Sequence, residues 1–132
     1  MTWILMMISD LVIPVILLVF GRLFTKESPG KINKIYGYRT KRSMANDKTW
    51  EFAHKYSGRI MLALGLGLLA VSWLPLVFVF GKENSVVGLT GVLVMIPQVL
   101  SISLVIIFTE RALKKNFDEE GNRITEDRHG KL

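Results

Sequence analysis

Residues 60–80 read IMLALGLGLLAVSWLPLVFVF, and none of these positions is charged. A helix rises about 1.5 Å per residue, so a run of this length crosses the ~30 Å hydrocarbon layer of a bilayer. A helix on the surface of a soluble domain would show a polar face within the same window, and this one shows none. The stretch therefore predicts a membrane-spanning helix. Gly81-Lys82-Glu83-Asn84-Ser85 follows, and then a second uncharged run over 86–109, with Pro97 and Gln98 near its middle. So short a polar connection can only turn the chain round, which predicts an antiparallel hairpin of two spans. Ala63 and Gly67 form a small-xxx-small pair, expected to let a neighbouring helix approach closely.

Upstream, residues 3–20 form a further apolar run near the lower length limit for a span, interrupted by Asp10 and Pro14. No basic segment precedes it and no small-x-small site follows it, so it reads as a span and not as a cleaved signal peptide. Across all 132 residues the chain is 50% hydrophobic and carries a formal charge of +6, yet Asp10 is the one charged residue inside the three runs. The mean hydropathy of +0.36 agrees with a membrane composition. The expected fold is all-α: three transmembrane helices at about 3–20, 60–80 and 86–109, forming a membrane domain over 1–109 with a loop at 21–59. A tail covers 110–132. The absence of cysteine excludes disulfides, thiolate metal sites and cysteine nucleophiles.

The loop 21–59 holds ten Lys/Arg against three acids, whereas the 81–85 turn holds one basic residue. The positive-inside rule then expects the loop and the tail in the cytoplasm, and the amino terminus outside a bacterial inner membrane. Within the loop, Ser28-Pro29-Gly30 is turn chemistry in a stretch, 25–34, that reads as flexible. Ser43 or Asn46 can cap a helix with Asp47 in its first turn. Trp50, Ala53, His54, Ser57 and Met61 follow helical spacing, so a short interfacial helix is expected over 47–58, feeding the second span. Trp50, Phe52 and Tyr56 are expected at headgroup level. In the tail, 110–117 is expected to continue the third helix, and the residues beyond Asp118 to be solvated.

The stretch Asn33-Lys-Ile-Tyr36-Gly37-Tyr38-Arg39-Thr40, followed by Ser43, Asn46, Trp50, Ala53, His54 and Gly58, resembles the SdpI family of bacterial membrane proteins. That family's loop reads roughly G-x-R-T-x-x-S-x-x-N-x-x-x-W-x-x-A-[NH]-x-x-x-G. The resemblance covers the loop residue by residue; the flanking helices agree in number and order. It implies an immunity or signalling protein. The family's namesake protects a producing cell against a secreted killing peptide and holds a soluble repressor at the membrane. The namesake also carries extra membrane-spanning sequence before this domain, so the chain resembles a short form. The partners implied are membrane lipids, a secreted toxin peptide and a cytoplasmic regulator.

Two groups of residues are candidates for a site. Arg39 presents a planar fork suited to phosphate or carboxylate, with Thr40, Ser43 and Asn46 adding neutral polar groups and Trp50 a wall. The same residues also read as caps and turn residues, and the sequence leaves both readings open. Asp10 is the second candidate, because a carboxylate in hydrocarbon is costly and normally faces a partner or water. Pro14 lies four positions on and removes the donor to the Asp10 carbonyl. Gln98, Ser72 and Ser101 are possible partners. Asp10 reads either as a proton or cation relay or toxin contact, or as a helix-packing hydrogen bond with Gln98 and the acid in its protonated form.

His54 is expected against Trp50 or a headgroup; with His129 the other histidine, no metal site is expected. No P-loop, zinc-ligand spacing or serine elbow appears, so the chain is read as a binding protein and not an enzyme, with no cofactor and no direct contact with nucleic acid. A homo-oligomer is compatible with the sequence. A small transporter or channel subunit is an alternative, hinted at by Asp10 and by one proline in each span. A structural lipid-binding protein is another, hinted at by Arg39 and the aromatics.

Overall fold

The computed structural model describes residues 1–27, 30–33 and 35–124. Three helices run in order, α1 (Thr2–Lys26), α2 (Asp47–Phe78) and α3 (Asn84–Asn116), and each is long and apolar enough to cross a membrane. Among the described residues the architecture is all-helical, with a single isolated bridge pair, Phe117 with Arg123, outside the helices. Ser28, Pro29 and Lys34, on which part of the expected flexible turn falls, lie outside the described residues, as do positions 125–132 with His129.

The outside of the bundle is apolar and its inside is unusually polar. Ile4, Leu66, Leu89 and Ile96 face outward, whereas Asp10, Ser57, Ser72, Gln98 and Thr109 are fully buried. This inversion suits lipid as the solvent: leucine on the outside costs nothing there, and polar groups must be turned in toward each other.

The expected interfacial helix over 47–58 is not a separate element. It forms the opening turns of α2, which continues through Gly58 into the apolar run without a break. No proline or cap interrupts residues 47–74, and each of the glycines at 58, 65 and 67 costs only about 1 kcal/mol. Of the two candidate caps, Asn46 takes the role. Its Oδ1 accepts from the Thr49 N–H at 2.9 Å, and the Thr49 hydroxyl oxygen accepts from the Asn46 N–H at 3.0 Å. Ser43 lies in the preceding turn. Trp50, expected at headgroup level, is instead buried, while Phe52 and Tyr56 stack on each other at the surface.

The close helix approach also lies elsewhere than expected. Ala63 and Gly67 face outward, and no neighbour stands within 4 Å of where a Cβ on Gly67 would sit. Helices α1 and α2 instead meet backbone to backbone at Gly21 and Gly58. A Cβ on Gly58 would lie 2.9 Å from the Gly21 carbonyl oxygen, and one on Gly21 would lie 2.9 Å from the Gly58 carbonyl oxygen. At the opposite end of the bundle, the Trp3 indole N–H donates to the Leu76 carbonyl at 2.6 Å, and its ring packs edge-on against Phe80.

Helix α3 runs past residue 109 as expected, but the chain after it folds back and is not simply solvated. Phe117 is buried against Phe52, and Arg123 lies over the Phe117 ring. The Gly121 carbonyl accepts from the Asn46 side-chain amide at 2.8 Å. One side chain therefore caps α2 and holds the tail. Asn46→Ala should cost about 1 kcal/mol through the lost cap. It should also release the tail, read as faster protease nicking after residue 117 and faster amide exchange at Thr49.

Candidate functional site

The loop motif closes on itself through His54, which lies on α2 before its apolar run. Gly37 takes a positive φ of 113°, which turns the chain so that the Tyr38 N–H points at the imidazole. His54 Nε2 accepts that N–H at 2.8 Å, and its Nδ1 lies 2.7 Å from the Trp50 carbonyl oxygen. A backbone N–H can only donate, so Nε2 is unprotonated and Nδ1–H is the donor to Trp50. The ring is thus neutral, and burial pushes its pKa below the usual 6.5. Trp50 and Phe24 pack against it at centroid distances of 4.3 and 4.8 Å. A Cβ on Gly37 would meet His54 Nε2 at 2.5 Å, so both the conformation and the space require glycine there.

The polar residues of the motif bond to each other. The Ser43 hydroxyl donates to the Tyr38 carbonyl at 2.9 Å and accepts from the Thr40 N–H at 2.8 Å. Thr40 Oγ1 accepts from the Ser43 N–H at 3.2 Å, and the Thr49 hydroxyl donates to the Ser43 carbonyl at 3.0 Å. Thr40, Ser43, Asn46, Trp50 and His54 are therefore gathered in one assembly, with Trp50 buried against His54. Arg39 is exposed.

Sequence reasoning missed Tyr38 and Thr49. The Tyr38 hydroxyl donates to Glu110 at 2.7 Å, tying the loop to α3, and its ring is buried with Ala53, Leu113 and Phe117. Burial, then the Glu110 carboxylate, push this phenol's pKa far above its usual value. An Asn-x-x-Thr spacing ahead of a helical pattern was the available signal for Thr49. Nothing in the local sequence distinguishes Tyr38 from its neighbour Tyr36, which is exposed.

Beside this assembly lies a cavity of about 430 Å³. Ile16, Leu17, Phe20 and Phe24 of α1 line it with Met61 of α2 and Ile106 of α3, and the loop from Ile35 to Thr40 completes it, Arg39 included. It is mostly apolar, and it joins lipid-facing helix surface to the basic loop.

The second candidate group sits within the bundle. The expected bond between Gln98 and Asp10 forms, but to the backbone: Gln98 Nε2 donates to the Asp10 carbonyl at 2.6 Å, supplying the donor that Pro14 removes. Gln98 Nε2 also donates to the Ser72 hydroxyl oxygen at 2.7 Å. Ser101 takes no part; its hydroxyl donates to the Pro97 carbonyl on its own helix.

A family model described as the SdpI/YfhL protein family matches residues 30–109. The match takes in the loop assembly, α2 and most of α3. The uncharacterized protein YfhL of Bacillus subtilis (strain 168) is 39% identical over 51 residues, which are 39% of this chain and 46% of that protein. The aligned part thus spans under half the length of that relative. No solved structure matches the chain.

Proposed function

The chain belongs to the SdpI/YfhL family, and we propose that it is a membrane immunity or signalling protein acting by binding and not by catalysis. It is a multi-pass membrane protein. In this reading it resides in a bacterial cytoplasmic membrane, with the loop and tail inside and the amino terminus outside. Its ligand is a secreted, membrane-active antimicrobial peptide that it captures within the bilayer, and the loop passes that state to a cytoplasmic regulator.

The observation that supports this is the cavity between the helices and the loop. An apolar segment entering from the lipid would touch Ile16, Phe20 and Ile106, and on its other side the loop from Ile35 to Thr40. Occupancy therefore meets the loop directly, with no need for a long-range conformational relay. The test is survival of a peptide-sensitive bacterium expressing the chain and challenged with a panel of secreted membrane-active peptides. Ile16 is half exposed, so Ile16→Trp can fill the cavity without burdening the core. Protection by the wild type should fall at least tenfold in Ile16→Trp and in Arg39→Ala at unchanged membrane levels. Protection that survives both variants would remove the cavity from the mechanism.

Arg39 beside an apolar cavity favours a second reading, a bound anionic lipid with its phosphate on the guanidinium. Native mass spectrometry distinguishes it: lipid retained by the wild type and lost from Arg39→Ala, with no peptide protection in either, would favour the lipid.

A further inference from the structure

The junction around Gln98 has more hydrogen-bond acceptors than donors. Gln98 spends its amide N–H groups on the Asp10 carbonyl and on Ser72. That leaves Asp10 Oδ1, Asp10 Oδ2 and Gln98 Oε1, each buried and each without a partner among the described residues. Asp10, Ser72 and Gln98 all have zero exposure. Nothing cationic faces the carboxyl from the packed elements. Residues 60–78 of α2 and 86–109 of α3 contain no Lys, Arg, His, Asp or Glu. On α1 the nearest basic side chain is Arg22, twelve residues and about 18 Å along the helix.

An unpaired carboxylate without water or a counter-charge is among the costliest groups a protein interior can hold. A carboxylic acid is different: it keeps one acceptor oxygen and gains an O–H, a further donor at a junction with three unpartnered acceptor atoms. We propose that Asp10 is an intramembrane proton-binding site, whose bound proton completes the junction of α1, α2 and α3. Release is simple in balance: the O–H bond breaks, the proton leaves to water, and the carboxylate keeps the electron pair. The charge then stands on the same residue whose carbonyl Gln98 holds. Losing the proton therefore loosens the contact at which a single side chain joins all three helices.

The test uses the full chain in nanodiscs at neutral pH, with the aspartate carboxyl carbons isotope-labelled for infrared spectroscopy. The chain has four aspartates: Asp10, Asp47, Asp118 and Asp127. The expected spectrum shows one labelled protonated-carboxyl C=O band per chain, absent from Asp10→Asn and unchanged when sodium replaces potassium. Should Asp10→Asn fail to fold, the triple variant Asp47→Asn, Asp118→Asn, Asp127→Asn assigns the band, which must persist there. Three results would overturn the proposal: carboxylate bands only, a protonated band that disappears in the triple variant, or a band removed by sodium, which would mark a metal-cation site instead. Asp10→Asn places an amide donor where the acid O–H stood, so its melting temperature should match the wild type at neutral pH and exceed it in alkali.

Discussion

Gly58→Leu is expected to separate α1 from α2 and to remove most of the folded protein from the membrane. The introduced Cβ would stand 2.9 Å from the Gly21 carbonyl oxygen and 3.0 Å from the Phe24 Cβ, and neither can swing aside without moving α1. Overpacking a close interface costs about 3 kcal/mol at the upper end of its usual range, and here one opposing atom is backbone and another is a Cβ fixed to it. In a bilayer the loss is not softened by a hydrophobic drive to keep helices together, because lipid serves as well as leucine. Gly67→Leu, nine residues along the same helix from Gly58 but facing open space, should be nearly silent. Thermal unfolding of the two variants in detergent micelles, together with their membrane levels, checks the contrast. Equal effects at both positions would mean that α1 and α2 do not cross at Gly58.

The second large effect is expected at His54. His54→Ala removes the acceptor for the buried Tyr38 N–H, which costs about 1–3 kcal/mol for an unsatisfied group, and the vacated ring space beside Phe24 and Trp50 adds to it. A total of about 3 kcal/mol is expected, read as a lowered unfolding temperature and exposure of Tyr38. His54→Asn retains a side-chain acceptor and should lose less.

The same hydrogen bond makes the loop acid-sensitive. The folded protein holds His54 neutral with its pKa below 6.5, whereas the unfolded chain titrates near 6.5. This contribution is complete above about pH 6.5 and is lost as pH falls from there toward the folded-state value, because only the unfolded chain takes up a proton in that window. The wild type should therefore lose melting temperature as pH falls below about 6.5, and His54→Asn should lose less on the same acid side. An identical pH profile for the two would show that His54 does not titrate between the folded and unfolded states.

The three spans were legible because hydrocarbon imposes a length and a composition that no soluble helix needs, and 60–80 and 86–109 satisfy both. The Asp10 carbonyl and Gln98 were legible too, since a proline four positions on leaves one definite carbonyl without its donor. What the sequence did not reveal is which face of each helix turns inward. Gly67 and Gly58 look equally suited to a close crossing, and the choice between them depends on where α1 lies. Trp50 was misplaced for a related reason. An aromatic before an apolar run normally sits among headgroups, but here Phe24 and the returning Gly37 turn cover that face of α2. The motif residues themselves carry both a folding role and a possible contact role in their chemistry. Only geometry separates Ser43, which faces inward, from Arg39, which does not.

Helix α2 has 32 residues, about 48 Å, and its backbone-to-backbone contact with α1, at Gly58, is near one end. Gly58 lies about 17 Å from Asp47 and about 30 Å from Phe78, so the crossing divides a stiff rod into unequal arms. Pro75 falls in the final turn, near the far end of the long arm. Gly58 is then a fulcrum. A sideways push on the hairpin end strong enough to part Leu76 from Trp3 would emerge at Asp47 reversed in direction and reduced to roughly half, as the ratio of the arms dictates. The motif is carried on the short arm, where small, opposed movements of the far end would be felt as a change of leverage on the loop.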